Sequence, residues 1–324
     1  MKNSDRILVK ILKEVCEERR ISCVPFATDW IISLEKGGVR RFVYGYLFPN
    51  NNACSAALCG DKSGLYSALT DAGISAVPHY FFMPPKNIHY VGKDDTNERL
   101  VALAACTQSF AVKPNEGTGG ECVTRVNGIE GLTRAVKLLF KRGRSVAVSP
   151  FIDIEDEFRI VVFEGEAELI FKKERPFVTG DGAATVARLA ARKYGEAFVI
   201  KKEDVLADVA SVPNEGGTVL LNWKHNLGSG ARAVEIIKDK SGSPPQSDTV
   251  IADAGLFDEL ASFAVAGARA AGISFASVDV IRADGKLSVM EINAGVMLEN
   301  FAAVSVSNYQ KAKSIYAKAV VRLF

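Results

Sequence analysis

The stretch SVDVIRADGKLSVMEINAG, residues 277–295, contains two apolar segments around an Asp-Gly pair, which is the pattern of a β-hairpin. It nevertheless carries Asp279, Glu291 and Asn293 inside its strands. An unpaired buried charge is costly, so such carboxylates indicate a partner cation, a metal ion or the end of a sheet. Glu291 and Asn293 lie two residues apart and therefore share one face of their strand. The hairpin is the first candidate for chemistry in the chain.

The length of the hairpin loop decides whether the two carboxylates meet. A two-residue turn at 284–285 would pair Asp279 with Met290 and place Glu291 on the opposite face. A three-residue loop that includes Lys286 sets Asp279 directly across from Glu291, and we predict this longer loop. The alternative is a half-exposed hairpin on which both carboxylates face solvent.

The composition excludes several classes of protein. Of the 324 residues, 48% are hydrophobic and 24% are charged, and a net charge of +2 gives no reason for bulk attraction to nucleic acid or to a membrane. No apolar run reaches the roughly 18–20 residues of a membrane span, and the charged N-terminus does not resemble a signal peptide. Six scattered cysteines and three histidines argue against a zinc site. We therefore expect a cytoplasmic protein that binds neither nucleic acid nor membrane.

Apolar periodicity predicts a mixture of helices and strands without repeated βαβ units. A helix over 7–15 and strands over 21–27 and 40–48 predict a small α/β unit at the start of the chain. The segment 238–248 is predicted to be a mobile surface loop. Further helices are predicted over 61–73, 98–106, 129–143, 184–196 and 257–273, and further strands over 109–114, 121–126, 145–152 and 157–174, the last as a hairpin that turns at 164–166.

A second candidate for chemistry is AVKPNEGTGGECV, residues 111–123, in which Gly117, Gly119 and Gly120 lie between two predicted strands. Glycines let backbone N–H groups approach a phosphate closely. Dinucleotide-binding turns and P-loops lead from a strand into a helix, so this strand-to-strand loop is neither. The alternative is a plain flexible hairpin.

Several cations lie outside obvious surface helices. Lys113 ends its strand at the glycine loop, where an ammonium could meet phosphate oxygens, and Lys62 and Lys173 are further candidates. The alternative for each lysine is an ordinary solvated side chain. Arg159 lies among apolar strand residues and requires an anion, either a phosphate or one of the nearby acids within 153–157.

The segment NWKHNLGSGA, residues 222–231, places His225 and Asn226 before another glycine-rich turn. Asn226 is the stronger candidate, because a neutral amide can join a metal and phosphate cluster without adding charge. Together with the glycine loop, the cations and the carboxylate pair, it suits magnesium, which prefers hard oxygen ligands and bridges carboxylates to phosphates.

The order of these motifs resembles the ATP-grasp superfamily, most closely the branch of cyanophycin synthetase, the ribosomal protein S6 glutamate ligase and glutathione synthetase. The motifs that carry the resemblance are CGDKSGLYSALTDAGISAVP (59–78), AVKPNEGTGGECV, SPFIDIEDEFRIVVFEGEAELIFKKE (149–174), VTGDGAATVARLA (178–190), NWKHNLGSGA and the 277–295 hairpin. The resemblance implies an α+β fold in which two lobes sandwich ATP. It implies a small N-terminal α/β lobe over 1–57, an N-lobe with the lid over 58–150 and a C-lobe over 151–324.

The resemblance also implies roles for single residues. Relatives often have a glutamate near Pro150 that contacts the nucleotide, so ribose recognition here would fall to Asp153 or Glu157. The NAGVMLEN segment, 293–300, departs from the usual pattern on the acceptor side, so the substrate specificity of relatives does not carry over. The phosphates would be bound by Lys62, Lys113, Lys173 and the lid glycines 117, 119 and 120, and adenine would lie near Ser149 and Phe151. The Mg²⁺ ion, which Mn²⁺ can replace, would be held by Asp279, Glu291 and Asn293. The transferred phosphoryl group would lie near Arg159 and Asn226.

The implied function is an ATP-dependent ligase that joins a small-molecule carboxylate, of an amino acid or a peptide, to an amine through an acyl phosphate. The alternatives are a phosphotransferase that uses the same cleft and a non-catalytic nucleotide-binding protein. A homo-oligomer is compatible with the resemblance, and the two substrates stay open.

Overall fold

The computed structural model describes residues 6–90, 92–117, 120–195, 208–221, 233–238 and 250–324. The described strands form three-stranded, four-stranded and six-stranded sheets and one two-stranded pair. Each of the three larger sheets takes its strands from one of the predicted ranges 1–57, 58–150 and 151–324. The lobe boundaries themselves stay predictions.

The start of the chain packs against its end. Helix α1 (Ile7–Arg19) precedes the antiparallel strands β1 (Ser22–Phe26), β2 (Ile31–Lys36) and β3 (Val39–Tyr44), and it is buried against the last helix, α9 (Val306–Val321). The hydroxyl of Tyr316 donates to the Val296 carbonyl at 2.8 Å and accepts from the Leu298 N–H at 3.0 Å. These bonds fix the segment that follows the 277–295 hairpin. The helix and the two outer strands were predicted, whereas β2 and α9 were not.

The four-stranded sheet is antiparallel and has one apolar face. Its order is β4 (Tyr80–Phe82), β7 (Val146–Pro150), β5 (Ser109–Pro114) and β6 (Thr124–Asn127), and its core packs on α4 (Thr96–Cys106) and α5 (Gly128–Lys141). Because side chains alternate along a strand, Ala111, Lys113 and Ser149 point to the opposite face. Strands β5 and β6 pair directly, so the glycine-rich loop joins two strands as predicted. Strand β6 begins later than predicted because Cys122 has a φ of 57°, which is not extended backbone.

The six-stranded sheet carries the hairpin on one edge. Its order is β13 (Val250–Ala252), β12 (Ala233–Ile237), β9 (Glu166–Lys173), β8 (Asp156–Phe163), β14 (Phe275–Ala283) and β15 (Lys286–Asn293). One face packs on α7 (Ala254–Ala270). Half of the other face joins the core of α1 and α9 through Val161, Phe163 and Phe275. The polar half of that face carries the candidate site.

The remaining described elements are short or lie at the edges of these sheets. The predicted turn at 164–166 is one residue too long, because Glu164 and Gly165 both have positive φ and Phe163 pairs with Glu166. The other elements are α2 (Ala53–Gly60), α3 (Lys62–Asp71), a 3₁₀ helix (Pro85–Tyr90), β10 (Phe177–Thr179), α6 (Val186–Tyr194), β11 (Thr218–Leu220) and α8 (Glu299–Ala302).

The 277–295 hairpin brings its carboxylates together by a different route from the predicted one. The three-residue loop was wrong: Ala283 pairs with Lys286, and the turn is the two residues 284–285, both at positive φ. Asp279 nevertheless pairs with Glu291, because the register shifts after Asp279 and leaves Met290 as an extra residue in β15. This β-bulge restores the parity that a two-residue turn would otherwise lose.

Helix α7 holds the back of the hairpin through a close approach at Gly267. A Cβ at this position would lie 3.2 Å from Val289 Cγ2. We expect Gly267→Leu to destabilise the protein by about 1–3 kcal/mol, because neither the helix nor the buried hairpin strand can move away without losing core contacts. Urea denaturation followed by circular dichroism measures the change.

Gly255→Leu is the matched control on the same helix. A Cβ there meets only Asp253 Oδ1, at 3.6 Å. Because leucine has a higher helix propensity than glycine, this variant should be as stable as the wild type or slightly more stable. Equal destabilisation by both substitutions would contradict the close packing of α7 on the hairpin.

Candidate functional site

Three neighbouring strands place Arg159, Asp279 and Glu291 in one row on the polar half of the six-stranded sheet. Arg159 of β8 lies opposite Asp279 of β14, which lies opposite Glu291 of β15. In β8, Glu157 points to the same face and pairs with Lys173 of β9. The sheet therefore collects charged residues that are more than 100 positions apart in sequence.

Asp279 is the centre of a buried ion network. Its side chain is closed to solvent, and it accepts hydrogen bonds from Arg159 Nε and Nη2, both at 2.7 Å, and from Lys173 Nζ at 2.8 Å. Lys173 also donates to Glu157 Oε1. The anion that the sequence requires beside Arg159 is thus a carboxylate from another strand, and not one of the acids within 153–157.

The network balances two cations with two anions. Burial alone would raise the pKa of Asp279, but Arg159 and Lys173 hold it well below its usual range. Burial opposes the charge of Lys173, yet Asp279 and Glu157 raise its pKa. Asp279, Lys173 and Arg159 are therefore ionised at neutral pH, and the charge-assisted hydrogen bonds hold the network in a fixed geometry.

The predicted magnesium ligands differ in how they fit a cation. Glu291 and Asn293 are half-buried on one face of β15, and the Asn293 amide nitrogen donates to Glu291 Oε1 at 3.1 Å, so both residues retain oxygen atoms for a metal. The Asp279 oxygens are already engaged by Arg159 and Lys173. Among the described residues, no group of three or more His, Cys, Asp and Glu side chains is arranged to hold a metal. One carboxylate and one amide are still sufficient where substrate phosphates complete the shell.

Lys62 and Lys113 approach the same carboxylates from the other side of the cleft. Lys62 opens α3, and its Nζ donates to the Gly117 carbonyl at 2.8 Å. Burial lowers the pKa of both lysines, while the charge of Glu291 opposes the shift in each. Glu291 of the six-stranded sheet therefore lies across the cleft from Lys62 and Lys113.

The pKa of Lys113 provides a test of its predicted contact with phosphate. Burial lowers this pKa to about 8. If the ammonium binds a phosphate, the Kd for ATP should increase as the pH rises above about 8, approaching tenfold per pH unit. Because the unfolded chain then binds more protons than the folded one, protein stability should increase over the same interval, up to the ordinary lysine pKa. Calorimetric titration with ATP over this pH range measures the Kd.

Lys113→Arg is the control for this pH dependence. A guanidinium keeps its charge throughout the range, so the Kd of this variant should not change with pH. A wild-type profile that matches the Lys113→Arg profile would contradict the role of Lys113.

The predicted adenine contacts, Ser149 and Phe151, lie at the end of β7, where the chain passes from the four-stranded to the six-stranded sheet. The Phe151 N–H donates to the Ser109 carbonyl at 2.8 Å, and the Arg125 guanidinium lies 3.8 Å from the centre of the Phe151 ring. Ser149 is buried on the cleft face of β7. Glu157, predicted to contact the ribose, is engaged by Lys173 in the ion network.

Some predicted residues lie outside the described part of the chain, and some contributors were not predicted. Gly119, Asn226 and residues 239–248 of the predicted mobile loop lie outside the described part, whereas Gly117 and Gly120 are described, with positive φ. Asn115 was missed: its carbonyl accepts from the Lys62 N–H at 3.1 Å, and its side-chain oxygen accepts from the Ser63 N–H at 3.1 Å. Its position directly after Lys-Pro at the start of the lid is the signal that could have identified it.

The structure of this chain superposes on solved proteins, whereas its sequence matches no family model or curated protein. The bifunctional glutathione synthetase from Pasteurella multocida superposes with a TM-score of 0.54 and 17% identity, over 97% of this chain and 45% of that chain. The VanG D-Ala:D-Ser ligase from Enterococcus faecalis gives 0.51 and 16%, over 84% and 64%. The D-alanine–D-alanine ligase from Bacillus anthracis gives 0.50 and 17%, over 84% and 68%.

These similarities concern the fold, and this chain spans less than half the length of the first of the three proteins. In the part of the chain that the structure describes, no helix is long and apolar enough to cross a membrane. An antiparallel four-stranded sheet and a mixed six-stranded sheet face each other across a charged cleft, and a glycine-rich loop joins two strands at its mouth. The solved structures that superpose on them are a glutathione synthetase and two D-amino acid ligases. The chain therefore has the α+β ATP-grasp fold, as the order of its sequence motifs predicts.

Proposed function

We propose that this protein is an ATP-dependent carboxylate–amine ligase that forms a C–N bond through an acyl phosphate and releases ADP and phosphate. The supporting observation is the cleft in which Lys62 and Lys113 face the row of Arg159, Asp279 and Glu291. Two of the superposed proteins are named as ligases of D-amino acids and the third as a glutathione synthetase, which favours amino acid or peptide substrates.

The lysines neutralise phosphate charge. Lys113 projects from the cleft face of β5, and Lys62 extends from the start of α3 toward the lid. In a cleft with little water, fixed cations stabilise charge that develops during phosphoryl transfer more strongly than they would in bulk solvent. The N–H to carbonyl bond from Lys62 to Asn115 ties α3 to the base of the lid, so that the two lysines keep a fixed separation.

Arg159 supplies a third cation in a fixed orientation. Asp279 engages its Nε and Nη2, and Nη1 has no hydrogen-bond partner among the described residues. Nη1 is therefore the donor for a transferred phosphoryl group or an acyl phosphate. No nucleophilic side chain is required, because the substrate carboxylate itself attacks the γ-phosphate.

Glu291 and Asn293 are the residues that would hold Mg²⁺. Asp279 stays a predicted ligand, because in this structure its oxygens are bonded to Arg159 and Lys173. Bound Mg²⁺ would neutralise the phosphate oxygens during transfer.

A screen of amino acid pairs for phosphate release in the presence of ATP and magnesium tests the proposal. A ligase yields ADP, free phosphate and a coupled product whose mass is the sum of the two substrates minus one water. Phosphate retained on the acceptor would show a phosphotransferase instead. Nucleotide binding without turnover for any pair in a broad screen would favour the non-catalytic alternative.

A further inference from the structure

Two polar side chains on the cleft face of the four-stranded sheet are buried with unused hydrogen-bonding capacity. His79 is 4% exposed and Ser149 is 1% exposed. Neither His79 Nε2 nor Ser149 Oγ has a hydrogen-bond partner among the residues that the structure describes. A buried polar atom without a partner is energetically costly, so each such atom in a native protein points to a partner that completes it.

The strand register places these two side chains side by side. Tyr80 of β4 pairs with Val148 of β7 as the last pair of this ladder, and His79 and Ser149 are the next residues on the two segments, so they lie near each other. Tyr80 and Val148 pack in the apolar core, so His79 and Ser149 point to the cleft. Ser149 also lies opposite Ala111 of β5, which presents only a methyl group.

We call the row of His79, Ser149, Ala111 and Arg125 on the cleft face of the four-stranded sheet the shelf, and its centre is flat because Ala111 has only a methyl side chain. Ala111 lies opposite Arg125 of β6, whose guanidinium lies against the ring of Phe151. A planar ring that lies on Ala111 is therefore bordered by Arg125 on one side and by the unpaired atoms of Ser149 and His79 on the other. The partner of those two atoms must then lie on the edge of the ring.

The hydrogen bond at Nδ1 defines what His79 can bind. Nδ1 lies 2.8 Å from the Val77 carbonyl oxygen, which can only accept, so Nδ1 carries the proton and Nε2 is an acceptor. Burial, with the nearby charge of Lys113, lowers the pKa of His79 to about 2, so the ring is neutral at working pH. An ionised phosphate has no proton to donate and cannot satisfy Nε2. The group that binds here must be a donor.

We propose that His79 Nε2 and Ser149 Oγ bind the amino group at position 6 of an adenine ring, and that His79 is a residue that selects ATP over 6-oxo purine nucleotides. An exocyclic amine carries two N–H donors, which matches two neighbouring acceptors. A 6-oxo group presents lone pairs to His79 Nε2 and leaves it unsatisfied, which is the arrangement that gives strong discrimination. This inference rests on the proposed nucleotide site.

The test compares the binding of ATP and inosine triphosphate, which differ at position 6, by calorimetry with the full-length protein. The wild type should bind ATP at least about tenfold more tightly than inosine triphosphate. His79→Leu and Ser149→Ala should weaken ATP binding and reduce this ratio toward one. His79→Gln can present either an amide oxygen or an amide N–H, so it should retain ATP binding and gain affinity for inosine triphosphate.

Exposed His89 provides the control, because His89→Leu removes an imidazole outside the shelf and should leave the ratio unchanged. Ser149→Ala removes an atom without a partner, so this variant should be as stable as the wild type. Equal affinity of the wild type for both nucleotides, or an unchanged ratio in all three shelf variants, would overturn the role of His79 while the proposed ligase function stands. If neither nucleotide binds, the proposed function and this inference fail together.

Discussion

Asp279→Asn should lower the free energy of unfolding by about 3–5 kcal/mol and abolish ATP-dependent turnover. Asp279 is closed to solvent and balances Lys173, which is also buried, and Arg159, which is partly buried. The asparagine amide leaves those cations without one of their two counter-charges and places an N–H₂ group where a carboxylate oxygen accepted. Urea denaturation at neutral pH measures the loss of stability, and release of ADP measures turnover.

Glu259→Gln is the matched control for this substitution. Glu259 pairs at 2.9 Å with Arg282, which lies on the same strand as Asp279, but the Glu259 side chain is 53% exposed. An exposed pair contributes about 0–1 kcal/mol, so this variant should be almost as stable as the wild type. Similar losses in both variants would contradict the buried network as the source of the stability.

The pH dependence of stability provides an independent check. The pKa of Asp279 is lower in the folded protein than in the unfolded chain, so its contribution is present above the unfolded value of about 3.9 and is lost as the pH falls below it. The stability difference between wild type and Asp279→Asn should therefore be constant from about pH 7 to 5 and decrease below about pH 4. A difference that does not change with pH would show that shape, not charge, is what the substitution removes.

The sequence identifies the components of the site better than their contacts. Asp279, Glu291 and Asn293 stand out because polar residues interrupt an apolar strand pattern, and a local pattern is visible in one sequence. The partner of Arg159 was not predictable, because the contact with Asp279 depends on which strands are neighbours in the sheet. Nearby acids in sequence were the natural candidates, although the paired carboxylate is 120 residues away.

The hairpin shows the same limit at smaller scale. The loop length was wrong, because Asp284 and Gly285 adopt the positive φ values of a two-residue turn, as Asp-Gly favours. The opposition of Asp279 and Glu291 was right, because the bulge at Met290 compensates for the shorter turn. A bulge has no distinct sequence signature when the extra residue is an ordinary apolar one, so only the functional requirement for paired carboxylates pointed to this register. The same reasoning explains why His79 was missed: a single histidine after Pro78 carries no pattern.

Glu291→Gln should reduce ATP-dependent product formation by about a hundredfold or more while leaving the protein folded and stable. Glu291 is half-buried, and among the described residues its side chain accepts a hydrogen bond from Asn293 rather than from a buried cation. Glutamine keeps the shape of the side chain but removes the charge that would attract Mg²⁺. Its free energy of unfolding should therefore change by less than about 1 kcal/mol, in contrast to Asp279→Asn. Turnover as a function of Mg²⁺ concentration and urea denaturation measure the two effects.

Asp284→Asn is the control within the same hairpin, because it removes a carboxylate from the exposed turn and asparagine tolerates the positive φ of that position. It should change neither turnover nor stability. Loss of turnover in this variant would indicate that any charge change in the hairpin disturbs the site.

Binding of ATP without metal separates a metal ligand from a phosphate contact. Glu291 faces the same cleft as Lys62 and Lys113, and a carboxylate there repels the phosphates that the lysines attract. In the presence of a chelator, Glu291→Gln should therefore bind ATP as tightly as the wild type or more tightly, whereas added Mg²⁺ should tighten ATP binding only in the wild type. If Mg²⁺ tightens binding equally in both proteins, Glu291 does not hold the metal. A combined result, in which Asp279→Asn loses stability and Glu291→Gln loses only the response to Mg²⁺, would assign the two opposed carboxylates to different tasks: Asp279 to the orientation of Arg159 and Lys173, and Glu291 to the cation.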